Sequence, residues 1–288
     1  MDQSYVICMD TGADIPWHTA QRNQLAVAHL QYTMNDASYI YDLGRETDLP
    51  SLYFSMRNGT QVTTEPVSVE ELMTQWNSIL ASGRDILYLG LSAALSGTLR
   101  NAQRAREQMR LLYPMRRIVL VDTRACSVAQ GMLLFEAAAM RGENRSLDDT
   151  AAWVVENRSY IHGLLLVESL RGIRGAGLVR AGALQELMGR RALLRLGVHG
   201  EAELCGGFKT KESAIVRMAE YAAQYGFALN TQTVTVTHAD APKLAAELKE
   251  ALQTGAGCAE VSILPMGPII GAHAGPGAVG AAFFGTKR

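Results

Sequence analysis

The sequence predicts an α/β protein: a parallel sheet with helices on both faces, followed by a second α/β domain. Short apolar runs of strand length alternate with longer runs of helical period. Several strands run straight into small, hydroxyl-bearing or acidic loops, as parallel strands do at the ligand-bearing edge of an open sheet. The chain has 288 residues, 48% of them hydrophobic and 19% charged, enough to bury a sizeable core and to divide into two domains.

Residues 5–9 read as a buried strand ending at Asp10, whose carboxylate is placed to bind backbone amides of neighbouring loops. Asp14, ahead of Ile15-Pro16, reads as a turn or helix cap. Asp10-Thr11-Gly12-Ala13 also spells the aspartic protease signature, but that chemistry needs a second copy to share a proton, and one copy is present. Residues 25–32 and 38–41 have strand character, and 49–56 read as a short helix. Thr63-Thr64-Glu65-Pro66 leads into an amphipathic helix with Leu72, Trp76, Ile79 and Leu80 on one face. Ser68 and Glu71 form a capping box, which assigns Ser68 to structure and leaves Thr64 free to face a ligand. Pro66 keeps Glu65 extended, so Glu65 should point away from whatever Thr64 faces.

Residues 87–102, L-Y-L-G-L-S-A-A-L-S-G-T-L-R-N-A, read strand, tight loop, helix. The unpaired N–H groups and partial positive charge of a helix start suit a carboxylate or phosphate. The structural alternative is that Ser96 or Thr98 only caps its own helix. A strand at 117–121 ends at Asp122-Thr123, and a helix at 128–140 is apolar almost all round, as for one packed on a sheet. A charged and polar interval at 141–158, which includes a helix at 147–156 and leads to a strand at 161–167, marks the domain change, giving domains 1–158 and 159–288. The Gly- and Arg-rich stretch 168–191 reads as helix ends and loops. Strands at 192–198 and 201–205, a helix at 211–225, and a strand, helix, strand unit at 232–237, 242–252 and 259–264 complete the second domain.

Gly275 to Gly280 match the dinucleotide fingerprint G-x-G-x-x-G as letters, but eight residues follow, too few for the helix that motif needs. His273, among glycines, either donates to an anion or is a satisfied structural group. Lys plus Arg number 27 against 28 for Asp plus Glu, a net charge of −1, without the footprint of a nucleic-acid binder or a polybasic membrane-surface protein. No apolar run approaches membrane thickness and the N-terminus lacks a basic leader region, so the expectation is a cytoplasmic protein with no stable membrane insertion. Cys8, Cys126, Cys205 and Cys258 are scattered singly, the pattern of free, mostly buried thiols rather than of a metal site or disulfide framework.

Four motifs together resemble the DegV family of fatty-acid-binding proteins: Asp10-Thr11 with Asp14-Ile15-Pro16; L-S-A-A-L-S-G-T-L-R-N-A; Val121-Asp122-Thr123 with Gln130-Gly131; and His273-Ala274-Gly275-Pro276-Gly277-Ala278-Val279-Gly280. Order and spacing hold over nearly the whole chain. The resemblance implies a two-domain fold, with a mixed sheet in the second domain, that holds one long-chain fatty acid between its domains. It implies presentation of the carboxylate to a separate fatty acid kinase, related to dihydroxyacetone kinases, which makes acyl phosphate for phospholipid synthesis. By this resemblance the chain is a binding subunit without a cofactor, not a catalyst. Carried over by position, Ser96 bonds the carboxylate, Thr64 contacts it from the neighbouring loop, and His273 lies near the head group.

The departures make the head-group environment less positive than the family's. Thr64-Glu65-Pro66 stands where the family has Thr-Ser-Gln; Ala176-Gly177-Leu178-Val179 has lost the arginine of Gly-Gly-Arg-Ile; a later family arginine aligns with Lys209; and Ala93 replaces a serine. Two other functions compete. A serine hydrolase using Ser96 and His273 would need nucleophile-elbow glycines where Ala94 and Thr98 stand. A binding module for another amphiphile or a small phosphorylated molecule is allowed by the helix-terminus argument alone.

Overall fold

The computed structural model describes residues 4–175 and 190–288. The first half comprises β1 (Tyr5–Asp10), α1 (Trp17–Arg22), β2 (Ala26–Ala28), β3 (Gln31–Met34), β4 (Ala37–Ile40), α2 (Leu49–Arg57), β5 (Val62–Glu65), α3 (Val69–Ala81), β6 (Asp85–Gly90), α4 (Thr98–Leu112), β7 (Ile118–Asp122), α5 (Ser127–Gly142) and α6 (Leu147–Asn157). The second adds β8 (Ile161–Val167), α7 (Arg171–Gly175), β9 (Arg191–Leu196), β10 (Ala202–Phe208), α8 (Lys211–Tyr225), β11 (Thr233–His238), α9 (Pro242–Gly255), β12 (Glu260–Pro265), α10 (Pro268–Ala274) and β13 (Val279–Phe284).

These strands form three sheets. One is parallel throughout, in the order β2-β1-β6-β7. The second is mixed, β10-β9-β8-β13-β11-β12, with β11 and β12 its parallel pair. The third is a small antiparallel sheet, β4-β3-β5. The α/β class, the parallel sheet with its helices and the second domain's mixed sheet are therefore as the sequence and the resemblance lead one to expect.

Local chemistry explains the helices. Ser68 Oγ accepts the N–H of Glu71 at 3.0 Å to start α3, and that helix buries Leu72, Trp76, Ile79 and Leu80. Helix α5 is buried on nearly every side because it is sandwiched, packing on β8, β11 and β13 of the mixed sheet and on β1 of the parallel one. A helix covered on one face keeps a polar stripe; one covered on two cannot.

Three expectations are corrected. Residues 25–32 are not one strand: β2 joins the parallel sheet and β3 turns away into the small sheet. Asp14 caps no helix, because Pro16 is the N-cap of α1 without a side-chain bond and the Asp14 carboxyl is used elsewhere. His273 lies in the last turn of α10. The thiols are less uniformly hidden than expected, since Cys205 is exposed and Cys126 half-buried. Leu178, with Ala176, Gly177 and Val179, lies outside the described residues. Among the described residues no helix is long and apolar enough to cross a membrane.

Candidate functional site

Asp10 organises the carboxyl edge of the parallel sheet. Its buried carboxyl accepts the N–H groups of Gly12 at 3.0 Å and Leu91 at 2.8 Å, the Tyr88 hydroxyl at 2.7 Å and the Gln130 amide at 3.3 Å. Burial still pushes it above the usual carboxylate range. These bonds fix the turn leaving β6, so the loop 92–97 projects from the sheet edge. Ser92 Oγ then donates to the Gly200 carbonyl at 2.9 Å, joining this loop to the β9–β10 hairpin of the mixed sheet.

Beside this loop lies a cavity of about 360 Å³, within the usual range for a small-molecule site. Its walls are Leu91, Leu95, Ser96 and Gly97 from the loop, Ser127, Val128 and Ala129 from α5, and Ile269, Ile270, His273 and Ala274 from α10. The mixed sheet contributes Gly163, Leu165, Leu194, Leu196 and Ala282. Gly163 and Ala282 are direct partners across β8 and β13, and Leu196 packs over Gly163, where a Cβ would lie 2.8 Å from its Cδ1. Among the described lining residues, the acidic and basic side chains are Glu65, exposed at the rim, and Arg195, already ion-paired with Glu203 at 2.9 Å.

The three sequence-derived residues, Thr64, Ser96 and His273, all line this cavity. The last turn of α10 brings His273 Nε2 within 2.8 Å of Thr64 Oγ1 on β5. Burial lowers the pKa of His273, partly opposed by its hydrogen bond to the Gly172 backbone. The ring tautomer sets whether Nε2 or the Thr64 hydroxyl donates in this bond. Glu65 follows the alternation of its strand and is exposed where Thr64 is half-buried.

Ser96 is bonded to the start of its own helix, whose N-cap is Gly97. Its Oγ accepts the N–H of Thr98 at 3.2 Å and lies 3.0 Å from Thr98 Oγ1, which accepts the N–H of Val67 at 3.2 Å. With Thr98 donating within the hydroxyl pair, the Ser96 proton is free to serve a ligand at the start of α4. Among the described residues no hydrogen bond joins Ser96 to His273, and His273 holds no carboxylate, so the relay of a serine hydrolase is not assembled.

Sequence reasoning missed the floor and the α10 wall. The signal was present: Val279–Phe284 is a six-residue apolar run after a Gly-Pro-Gly turn, which is the pattern of a buried strand. Of the family departures, Ala93 and Lys209 are both exposed, and neither lines the cavity.

The family described as "Uncharacterised protein, DegV family" matches residues 4–286. The chain belongs to the DegV family. A DegV domain-containing protein of Clostridium perfringens is 27% identical over 288 residues, covering 99% of each chain. Among solved structures, a fatty-acid-binding DegV protein of Thermus thermophilus superimposes with a TM-score of 0.85 at 23% identity, covering 98% of this chain and 99% of that one. The Fatty Acid Kinase (Fak) B3 protein of Streptococcus pneumoniae, loaded with linoleic acid, gives 0.84 at 14% identity over 98% and 99%. At such identities the likeness establishes a shared fold.

Proposed function

We propose that this chain binds one long-chain fatty acid and presents its carboxylate to a separate fatty acid kinase, acting as a binding subunit rather than as a catalyst. The observation that carries the reading is a mainly apolar cavity with two hydroxyls and an imidazole, those of Thr64, Ser96 and His273, gathered beside the start of α4. The acyl chain lies over Gly163 and Ala282, and the carboxylate takes the Ser96 proton, with Thr64 and His273 as its further partners. The division into domains 1–158 and 159–288 belongs to this proposal, the ligand lying between them.

Affinity then comes mainly from the tail, at about 0.8 kcal/mol per buried CH₂ before association costs. The head-group contacts set direction. Native mass spectrometry of the purified chain tests the reading: the supporting result is one added mass equal to a fatty acid, and a different class of adduct counts against it. A fluorophosphonate adduct on Ser96 would favour the hydrolase reading instead.

A further inference from the structure

We infer that Asp14 is a positioning residue for the ligand: its carboxyl ties two walls of the cavity together and so holds α10, with His273, over the acyl chain. This rests on the fatty-acid reading of the cavity. Asp14 is 2% exposed. One carboxyl oxygen accepts the N–H of Gly267, the N-cap of α10, at 2.8 Å. The other receives the hydroxyl of Ser127, the first residue of α5. Both helices line the cavity.

The surroundings reinforce this grip. Tyr53 on α2 donates to the Met266 carbonyl at 2.7 Å. A Cβ on Gly267 would lie 2.5 Å from the Tyr41 ring, and one on Gly271 2.1 Å from the Tyr53 hydroxyl, so α10 seats on this wall only through glycines. Ser127 sits at φ +53°, a left-handed conformation uncommon outside glycine, held by its N–H on the Gly12 carbonyl at 2.8 Å and its side chain on Asp14.

Among the described residues no cation is paired with Asp14. The titratable groups around it are Tyr41, Tyr53 and Cys126, all pushed up by burial and neutral. Asp42 and Asp240 act on the two tyrosines from further out, and Asp240 is paired with Arg57. Burial, only partly offset by the bonds from Ser127 and Gly267, pushes Asp14 itself up to about 7. Freed into water by opening of α10, the carboxyl returns to about 3.9 and releases its proton. The closed state is thus fully favoured below about pH 4, loses up to about tenfold per pH unit towards pH 7, and levels off above it.

The test follows release of a fluorescent sixteen-carbon fatty acid by stopped flow from pH 5 to 8, in a His273→Gln background that removes the imidazole. Release should quicken with pH up to about 7. Adding Asp14→Asn, which keeps the Gly267 acceptor and a neutral contact to Ser127, should flatten the profile at the slow limit; Asp14→Ala should make release fast throughout. An unchanged slope in Asp14→Asn overturns the clamp. Deuterium exchange at the amides of residues 267–274 in the unliganded chain separates this from the ligand assignment. It should be at least tenfold faster in Asp14→Ala than in Asp14→Asn, and equal rates overturn the clamp whatever the cavity binds.

Discussion

On the proposed fatty-acid reading, Ser96→Ala removes two interactions whose sizes differ. Within the protein, the Thr98 N–H loses its acceptor at 3.2 Å, a neutral hydrogen bond worth about 0.5–1.5 kcal/mol in stability. Towards the ligand, a hydrogen bond to a charged group is lost, about 1.5–3 kcal/mol. A sixteen-carbon tail contributes roughly 12 kcal/mol gross at about 0.8 kcal/mol per CH₂, so the variant still binds. Affinity should fall about 10- to 150-fold, measured by displacement of a fluorescent fatty acid. Phosphorylation of the bound acid by the partner kinase should fall further, because a carboxylate free to swivel leaves the attack geometry. Equal losses in the two assays, with the fold intact by circular dichroism, would refute this division between tail and head group.

Four further outcomes follow from the same geometry. Burial keeps His273 neutral in the free chain, so a bound carboxylate should raise its pKa; affinity then weakens as pH rises through the raised value, and His273→Gln flattens the profile in calorimetric titrations. Glu65→Gln should change affinity by less than about threefold, roughly 0.7 kcal/mol, since that side chain is exposed at the rim; a tenfold gain would show it intruding on the carboxylate. Ala282→Phe should fill the floor opposite Gly163 and shift the acyl masses seen by native mass spectrometry to shorter chains, whereas an unchanged distribution would place the tail elsewhere. Asp10→Ala strands the buried N–H groups of Gly12 and Leu91 and should cost roughly 2–6 kcal/mol in denaturant unfolding, at about 1–3 kcal/mol for each unsatisfied donor.

Much of the fold was legible because parallel strands buried on both faces read as continuous apolar runs, as in residues 5–9 and 87–91. Asp10 was legible for the same reason: an acid at the end of such a strand has backbone amides as its nearest donors. Ser96 was legible as a hydroxyl at a helix start, but the sequence does not show that its oxygen already accepts the Thr98 N–H. What stayed hidden depends on distant pairing. Asp14 gives no local sign that its partner is Gly267, 253 residues away, and the cavity floor exists only where Gly163 meets Ala282 across two strands. The near-uniform apolarity of α5 pointed to a sheet contact, yet periodicity cannot count sheets.

The most direct test of the central claim is a crystal structure of the chain with palmitate. The account predicts one acyl chain passing over Gly163 and Ala282, with its carboxylate within about 3.2 Å of Ser96 Oγ and beside Thr64 and His273. A carboxylate paired instead with Arg195, leaving the tail against Ser96, or palmitate bound outside the cavity, would contradict it.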